Sequence, residues 1–187
     1  MRVISGSARG KKLAAREGMD TRPTTDRVKE AIFNIIQFQV PGARVLDLFG
    51  GRGALAVEAL SRGAQSAVVV DESKEAIRII QQNLRETRLA EKAKVLQMDD
   101  QSFLKSYHGE PFDLVFLDPP YGKDMVNRAM KTLIGCQCVA PCGIIICESE
   151  KGDLLLEQVG QFRQKKQYRY GKTVLTVYRA EDPEVDS

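Results

Sequence analysis

Four short strand-like runs, each followed by an aspartate, constrain this chain more than anything else in it. Residues 44–48 contain Asp47, Val68-Val69-Val70 runs into Asp71, residues 94–97 lead to Asp99 and Asp100, and Leu114-Val115-Phe116-Leu117 runs into Asp118. Stretches with helical patterning separate them, over residues 54–62, 73–87 and 101–107. Mostly apolar strands that alternate with helices predict a parallel sheet covered on both faces, because each strand must find apolar cover above and below. At 187 residues the chain suits one α/β domain with a sizeable core. In open sheets of this kind, ligands bind in the crevice outside the carboxyl ends of the strands. The four aspartates therefore fall where a site belongs.

The remaining elements complete the expectation. Thr24 or Thr25 is the expected N-cap of a helix reaching about Gln39, with Val28, Ile32, Ile35 and Ile36 on one face. A helix over residues 124–133, a strand over 143–147 and a helix over 154–162 follow. Two last runs, 166–170 and 173–178, flank Gly171-Lys172 and read as an antiparallel pair. Residues 1–22 form a basic extension with a small hairpin, residues 23–180 the main domain, and residues 181–187 an acidic tail.

Composition narrows the class. No apolar stretch nears the roughly 20 residues that a membrane helix requires, and the first residues, Met1-Arg2-Val3-Ile4-Ser5-Gly6, lack the apolar core of a signal peptide. A cytoplasmic protein with no membrane association is expected. Cys136, Cys138, Cys142 and Cys147 crowd together without the paired C-x2-C knuckles of common zinc sites, so no metal is expected, and Cys147 reads as a small core residue. Net charge is +3 but uneven. Residues 1–30 hold eight Lys/Arg against four Asp/Glu, and residues 161–180 hold six Lys/Arg and no acid. Basic flanks around a mildly acidic middle suit a polyanionic partner.

Asp47-Leu48-Phe49-Gly50-Gly51-Arg52-Gly53 closes the first strand of the alternating region and opens a helix. Its glycines loosely fit a dinucleotide fingerprint. Asp47 argues against that, since an anionic pyrophosphate would be repelled there. S-adenosylmethionine carries an ammonium and a sulfonium and would be attracted. Asp71 is placed to accept from ribose hydroxyls and Asp99 from an adenine amino group. At the fourth strand end stands Asp118-Pro119-Pro120-Tyr121. Two prolines end the strand and leave free carbonyls. A carboxylate, a carbonyl and a ring together suit a planar group that bears an amine.

These motifs resemble those of amino methyltransferases that modify exocyclic nitrogens of bases. More specifically, Arg22-Pro23-Thr24-Thr25-Asp26-Arg27-Val28-Lys29-Glu30, the glycine loop, the Asp-Pro-Pro-Tyr and Glu148-Ser149-Glu150 resemble the RsmD family of bacterial 16S ribosomal RNA guanine-N2 methyltransferases. The loop departs from that family's usual pattern at Gly50 and Arg52, where small Ala and Ser are customary. The resemblance implies a Rossmann-like class I fold, a seven-stranded mostly parallel sheet ending in an antiparallel hairpin. It implies methylation of a guanine of the guanine-966 type during small-subunit maturation, with 16S rRNA or the assembling subunit as partner and a monomeric enzyme that needs no metal. The catalytic set is then Asp118, Pro119, Pro120 and Tyr121. The cofactor set is Asp47, Phe49, Gly51, Gly53, Asp71, Glu72, Asp99 and Asp100, with Thr24 and Asp26. The RNA set is Arg9, Lys11, Lys12, Arg16, Arg22, Lys165 and Lys166. An enzyme of the same type acting on another RNA or on DNA, a nicotinamide oxidoreductase and a non-enzymatic RNA-binding module are the rival readings.

Overall fold

The computed structural model describes residues 1–15, 25–120 and 124–181. The alternation appears as β1 (Arg44–Asp47), α2 (Ala54–Ser61), β2 (Ser66–Asp71), α3 (Lys74–Glu86), β3 (Ala93–Gln97), α4 (Asp100–Ser106), β4 (Phe112–Leu117), α5 (Met125–Gly135) and β5 (Val139–Glu150), preceded by α1 (Asp26–Ile35). A 3-10 turn, Ala90–Lys92, leads into β3. β1 to β5 pair in parallel. The chain then reverses through β6 (Gln158–Val159), β7 (Phe162–Tyr170) and β8 (Thr173–Ala180), all antiparallel to their neighbours. The order across the sheet is β3-β2-β1-β4-β5-β8-β7-β6. The strand order reverses between β1 and β4, so the crevice opens beside Asp47 and Asp118.

Two apolar layers sandwich the sheet, as its nearly unbroken apolar strands require. On one face α1, α2 and α3 bury Phe33, Ile36, Val57, Leu60 and Ile80 against Val45, Val69, Leu114 and Phe116. On the other, α4 and α5 bury Phe103, Leu104, Met130 and Leu133 against Leu46, Val115, Leu117 and Tyr178. Cys147 is fully buried in this second layer, which pushes its thiol up.

Thr25 is the N-cap of α1, its side chain accepting from the Val28 N–H at 3.2 Å. The helix stops at Ile35, short of the expected Gln39. Val40 is wholly buried, and the Gln39 N–H and Ala43 N–H turn back to the carbonyls of Ile36 and Val40. Burying Val40 just before Pro41 requires a turn, which ends the helix early.

Two expectations are corrected. Residues 154–162 are not a helix, and the sheet has eight strands rather than seven. The cause is three side chains from outside the segment. Asn127 of α5 donates from Nδ2 to the Leu154 carbonyl at 2.7 Å and accepts the Leu156 N–H at 2.9 Å. Tyr178 Oη donates to the Leu156 carbonyl at 2.6 Å, and Gln164 Nε2 to the same oxygen at 3.2 Å. Carbonyls that a helix would pair internally are thus taken by side chains from outside. The segment runs on to the two-residue β6, which pairs with the start of β7.

The N-terminal segment packs on this domain. An antiparallel bridge joins Arg2 and Lys12 where the hairpin was expected. Val3, Ala8 and Leu13 enter the α1–α3 layer. Glu58 of α2, fully buried, accepts from the Ile4 and Ser5 N–H groups, pairs with Lys29 Nζ at 3.1 Å and with Arg62 Nε at 2.9 Å. Lys29 donates in turn to the Arg2 carbonyl at 2.6 Å. Each charge in this buried group has partners, the condition for holding charges out of water.

Candidate active site at the carboxyl ends of the parallel strands

Parallel registers bring the strand-end acids together. Asp47 lies beside Val69 on one side and Phe116 on the other, and Asp118 follows two residues after Phe116. Asp71 ends β2. Asp47 is only 1% exposed, and its Oδ2 accepts the Ala56 N–H at 3.3 Å. Ala56 lies in the first turn of α2, whose N-cap, Gly53, has no side chain to offer. Asp47 therefore caps this helix from the neighbouring strand. Burial pushes its carboxyl from 3.8 up to about 7; the Ala56 N–H opposes the shift, and the charge of Asp71 adds to it.

The loop between is built on left-handed glycines. Gly51 has φ +58 and Gly53 φ +77, a region that favours glycine. The Gly51 N–H donates to Asp71 Oδ2 at 2.9 Å, while Asp71 Oδ1 accepts the Ser73 N–H, also at 2.9 Å. This loop suits a cation and not a pyrophosphate. The Gly51 N–H that a phosphate would seek is already donated to a carboxylate, and two carboxylates face the loop. A cation beside Asp47 would relieve the cost of its ionisation. S-adenosylmethionine, with an ammonium and a sulfonium and no phosphate, fits this donor set.

Phe49 is half-buried against the α4–α5 layer, and Glu72 is exposed. Asp99 is exposed and caps α4, accepting the Ser102 N–H at 2.9 Å; the hydrogen bonds with Ser102 hold its carboxyl below the usual range. Asp100 is turned toward α5 and pairs with Arg128 at 3.1 Å. Asp26 is exposed in the first turn of α1. Arg9, Lys11 and Lys12 are exposed on the N-terminal segment, and Lys165 and Lys166 on β7. Tyr121, Thr24, Arg16 and Arg22 lie outside the described residues.

Beyond the four expected acids, the structure adds a cavity of about 320 Å³, lined by Pro119, Pro120, Met125, Glu148 and Leu154 among others. Asp118 precedes this wall and is partly exposed. Glu148 is 4% exposed, one of two buried polar residues of β5 with Ser149. Leu154, by contrast, is 89% exposed at the rim. Neither residue belonged to the expected site set. Glu148-Ser149-Glu150 was visible as a motif, but Leu154 was hidden by the misread helix. Among the described residues no group of three His, Cys, Asp or Glu is placed to hold a metal ion, and no helix is long and apolar enough to cross a membrane.

A parallel sheet that ends in an antiparallel pair, with a cation-seeking glycine loop at its switch point, defines an S-adenosylmethionine-dependent methyltransferase of class I. Relatives make the class particular. Residues 1–179 match the family described as Conserved hypothetical protein 95, and the chain belongs to that family, the RsmD family. Protein YlbH of Bacillus subtilis is 41% identical over 182 residues, covering 96% of this chain and 98% of its own. Ribosomal RNA small subunit methyltransferase D of Haemophilus influenzae is 35% identical over 158 residues, covering 83% and 82%. The solved structure of yhhF from Escherichia coli superposes with a TM-score of 0.86 at 32% identity, covering 97% of this chain and 98% of that one.

Proposed function

We propose that this protein methylates the exocyclic N2 of one guanine in 16S ribosomal RNA, of the guanine-966 type, during maturation of the small subunit. The observation that carries the reading is the adjacency of two strand ends. Asp47, beside the loop that suits a cationic methyl donor, pairs with Phe116, two residues before Asp118 and the cavity walled by Pro119 and Pro120. Membership of a family that includes a small-subunit ribosomal RNA methyltransferase supports RNA as the substrate.

Asp47 would face the cationic end of the cofactor, Asp71 the ribose and Asp99 the adenine edge. S-adenosylmethionine, when bound, supplies an electrophilic methyl group. The amine of guanine is a poor nucleophile because its lone pair is delocalised into the base. Asp118 and the Pro119 carbonyl accept from its two N–H groups, which favours a pyramidal nitrogen with its lone pair turned outward. Pro119, Pro120 and Leu154 supply apolar walls, and Tyr121 a ring for stacking on the base plane. Much of the acceleration is positioning. Asp118 also takes the released proton, directly or through water. The base must leave its stack to reach the cavity.

Asp118→Ala should lower methyl transfer by about 100-fold or more while leaving S-adenosylhomocysteine affinity nearly unchanged. A variant that methylates normally would end the acceptor role of Asp118. Mass mapping of 16S rRNA from cells with and without the protein tests the target. A missing methyl at any site other than a guanine N2 would keep the enzyme class and discard this substrate.

A further inference from the structure

β7 contains a bulge that changes which face of the sheet its side chains meet. Gln164 pairs with Tyr178, but Lys166 pairs with Val177, so Lys165 is the extra residue. Before the bulge, Phe162 lies in the α4–α5 layer; after it, Tyr168 and Tyr170 pack against the α1–α3 layer. An insertion of one residue re-aims every following side chain. Without it, both tyrosines would point to the opposite face.

The face they reach is the one on which Asp118 and Glu148 fall. Leu117 pairs with Cys147, so Asp118 falls on the row of Glu148, which pairs with Leu175, which pairs with Tyr168. Three interstrand steps make about 14 Å, the reach of about four stacked nucleotides. The tyrosines there wall an open groove of about 440 Å³ against α1, with Arg27, Glu30 and Asn34 on the helix side. Arg27 stands 5.9 Å from the centre of the Tyr170 ring, and Lys166 Nζ 5.1 Å from that of Tyr168. Arg169, Lys165 and Lys172 are exposed on the same hairpin. Both tyrosines are only half-buried. Aromatic rings flanked by cations, on a segment without acids, form the pattern that holds single-stranded nucleic acid by stacking and phosphate contact. Glu30 is the acid in the groove and sets a limit: phosphates lie toward Arg27 and the hairpin, and bases over the tyrosines.

The geometry points to this groove as a second RNA-binding site, in which Tyr168 and Tyr170 stack on bases of the strand flanking the target nucleotide and Arg27 and Lys166 hold its backbone. It rests on the RNA reading above and extends it to a surface some 14 Å from the chemistry. The full chain is titrated with a fluorescently labelled 16S rRNA transcript. Tyr168→Leu with Tyr170→Leu keeps apolar cover on α1 and removes the rings; affinity should fall about tenfold or more. Tyr168→Phe with Tyr170→Phe keeps the rings and should bind within about twofold of the wild type. Both pairs should retain the wild-type melting temperature and S-adenosylhomocysteine affinity. A leucine pair that binds the naked transcript like the wild type overturns the groove. So does a defect seen only on protein-bound subunit particles, which would make the partner a protein. Methyl incorporation is scored separately. Loss of binding in the leucine pair, with no N2-methylguanine formed by the wild type, would leave the groove standing and sink the guanine assignment.

Discussion

Asp47 serves the fold with the same carboxylate that the proposed cofactor reading uses. Its carboxylate caps α2, yet burial pushes it up to about 7 from 3.8. The sign of the consequence follows from proton uptake. Below about pH 4 both folded and unfolded chains are protonated at this site. Between about pH 4 and 7 the unfolded chain releases a proton that the folded chain keeps, so this residue's contribution to stability falls with rising pH, by about 1.4 kcal/mol per pH unit. Above about 7 the loss is complete and constant. Asp47→Asn retains an oxygen for the Ala56 N–H and should flatten that part of the stability profile, as measured by urea unfolding at several pH values. Cofactor binding should run the other way. A cation beside Asp47 favours its ionised form, so S-adenosylmethionine affinity should rise with pH up to about 7 and then level off. Calorimetric titrations of the asparagine variant should show weaker binding without that rise. A wild-type affinity that is flat from pH 5 to 8 would mean that the cation does not sit beside Asp47.

At the scale of elements, the loop over residues 152–156 connects packing to the cavity walled by Pro119 and Pro120. Asn127 is 8% exposed and fastens the loop to α5, with Asp124 Oδ1 also accepting from it at 2.7 Å. Asn127→Ala leaves the Leu154 carbonyl and the Leu156 N–H without this partner, at a cost of about 1–3 kcal/mol for each group that stays buried and unpaired. Thermal unfolding should report that loss. KM for RNA should rise more than the dissociation constant for S-adenosylhomocysteine, because Leu154 walls the acceptor cavity and not the glycine loop. A mutant whose cofactor affinity collapses while its RNA KM holds would place the loop on the wrong side of the site. The parallel core was legible because continuous apolar runs with acids at their ends have few other solutions. The helix expected over residues 154–162 was not, because what undoes it is Asn127, Gln164 and Tyr178, which come from elsewhere in the chain. Local periodicity is blind to such partners. The bulge at Lys165 was hidden too: it lies between the helix expected to end at 162 and the strand expected to begin at 166, and the one-residue slip exists only in the pairing of β7 with β8.

At the scale of the whole molecule, the charge asymmetry acquires geometry. The basic N-terminal segment is fixed to α2 through Glu58, and α2 begins at the glycine loop. Asn83 of α3 adds a second tie, donating to the Arg52 carbonyl at 2.8 Å and accepting the Ala14 N–H at 2.7 Å. The exposed cations Arg9, Lys11 and Lys12 are therefore carried on a segment held to the last turn of α2 and, through Asn83, to the glycine loop, and the cations of the C-terminal hairpin sit beyond β5 at the far side of the crevice. Counterion release then gives a quantitative expectation. If Lys11 and Lys12 each meet a phosphate, replacing both by alanine should lower the slope of log affinity against log salt by about 1.4 to 1.8 for RNA. The affinity for S-adenosylhomocysteine and its weak salt dependence should stay as they were, since neither lysine takes part in the ties through Glu58 and Asn83. Filter binding of a 16S rRNA transcript over a range of salt concentrations measures the slope. An unchanged slope would remove the N-terminal segment from the RNA surface and leave the C-terminal hairpin to carry it.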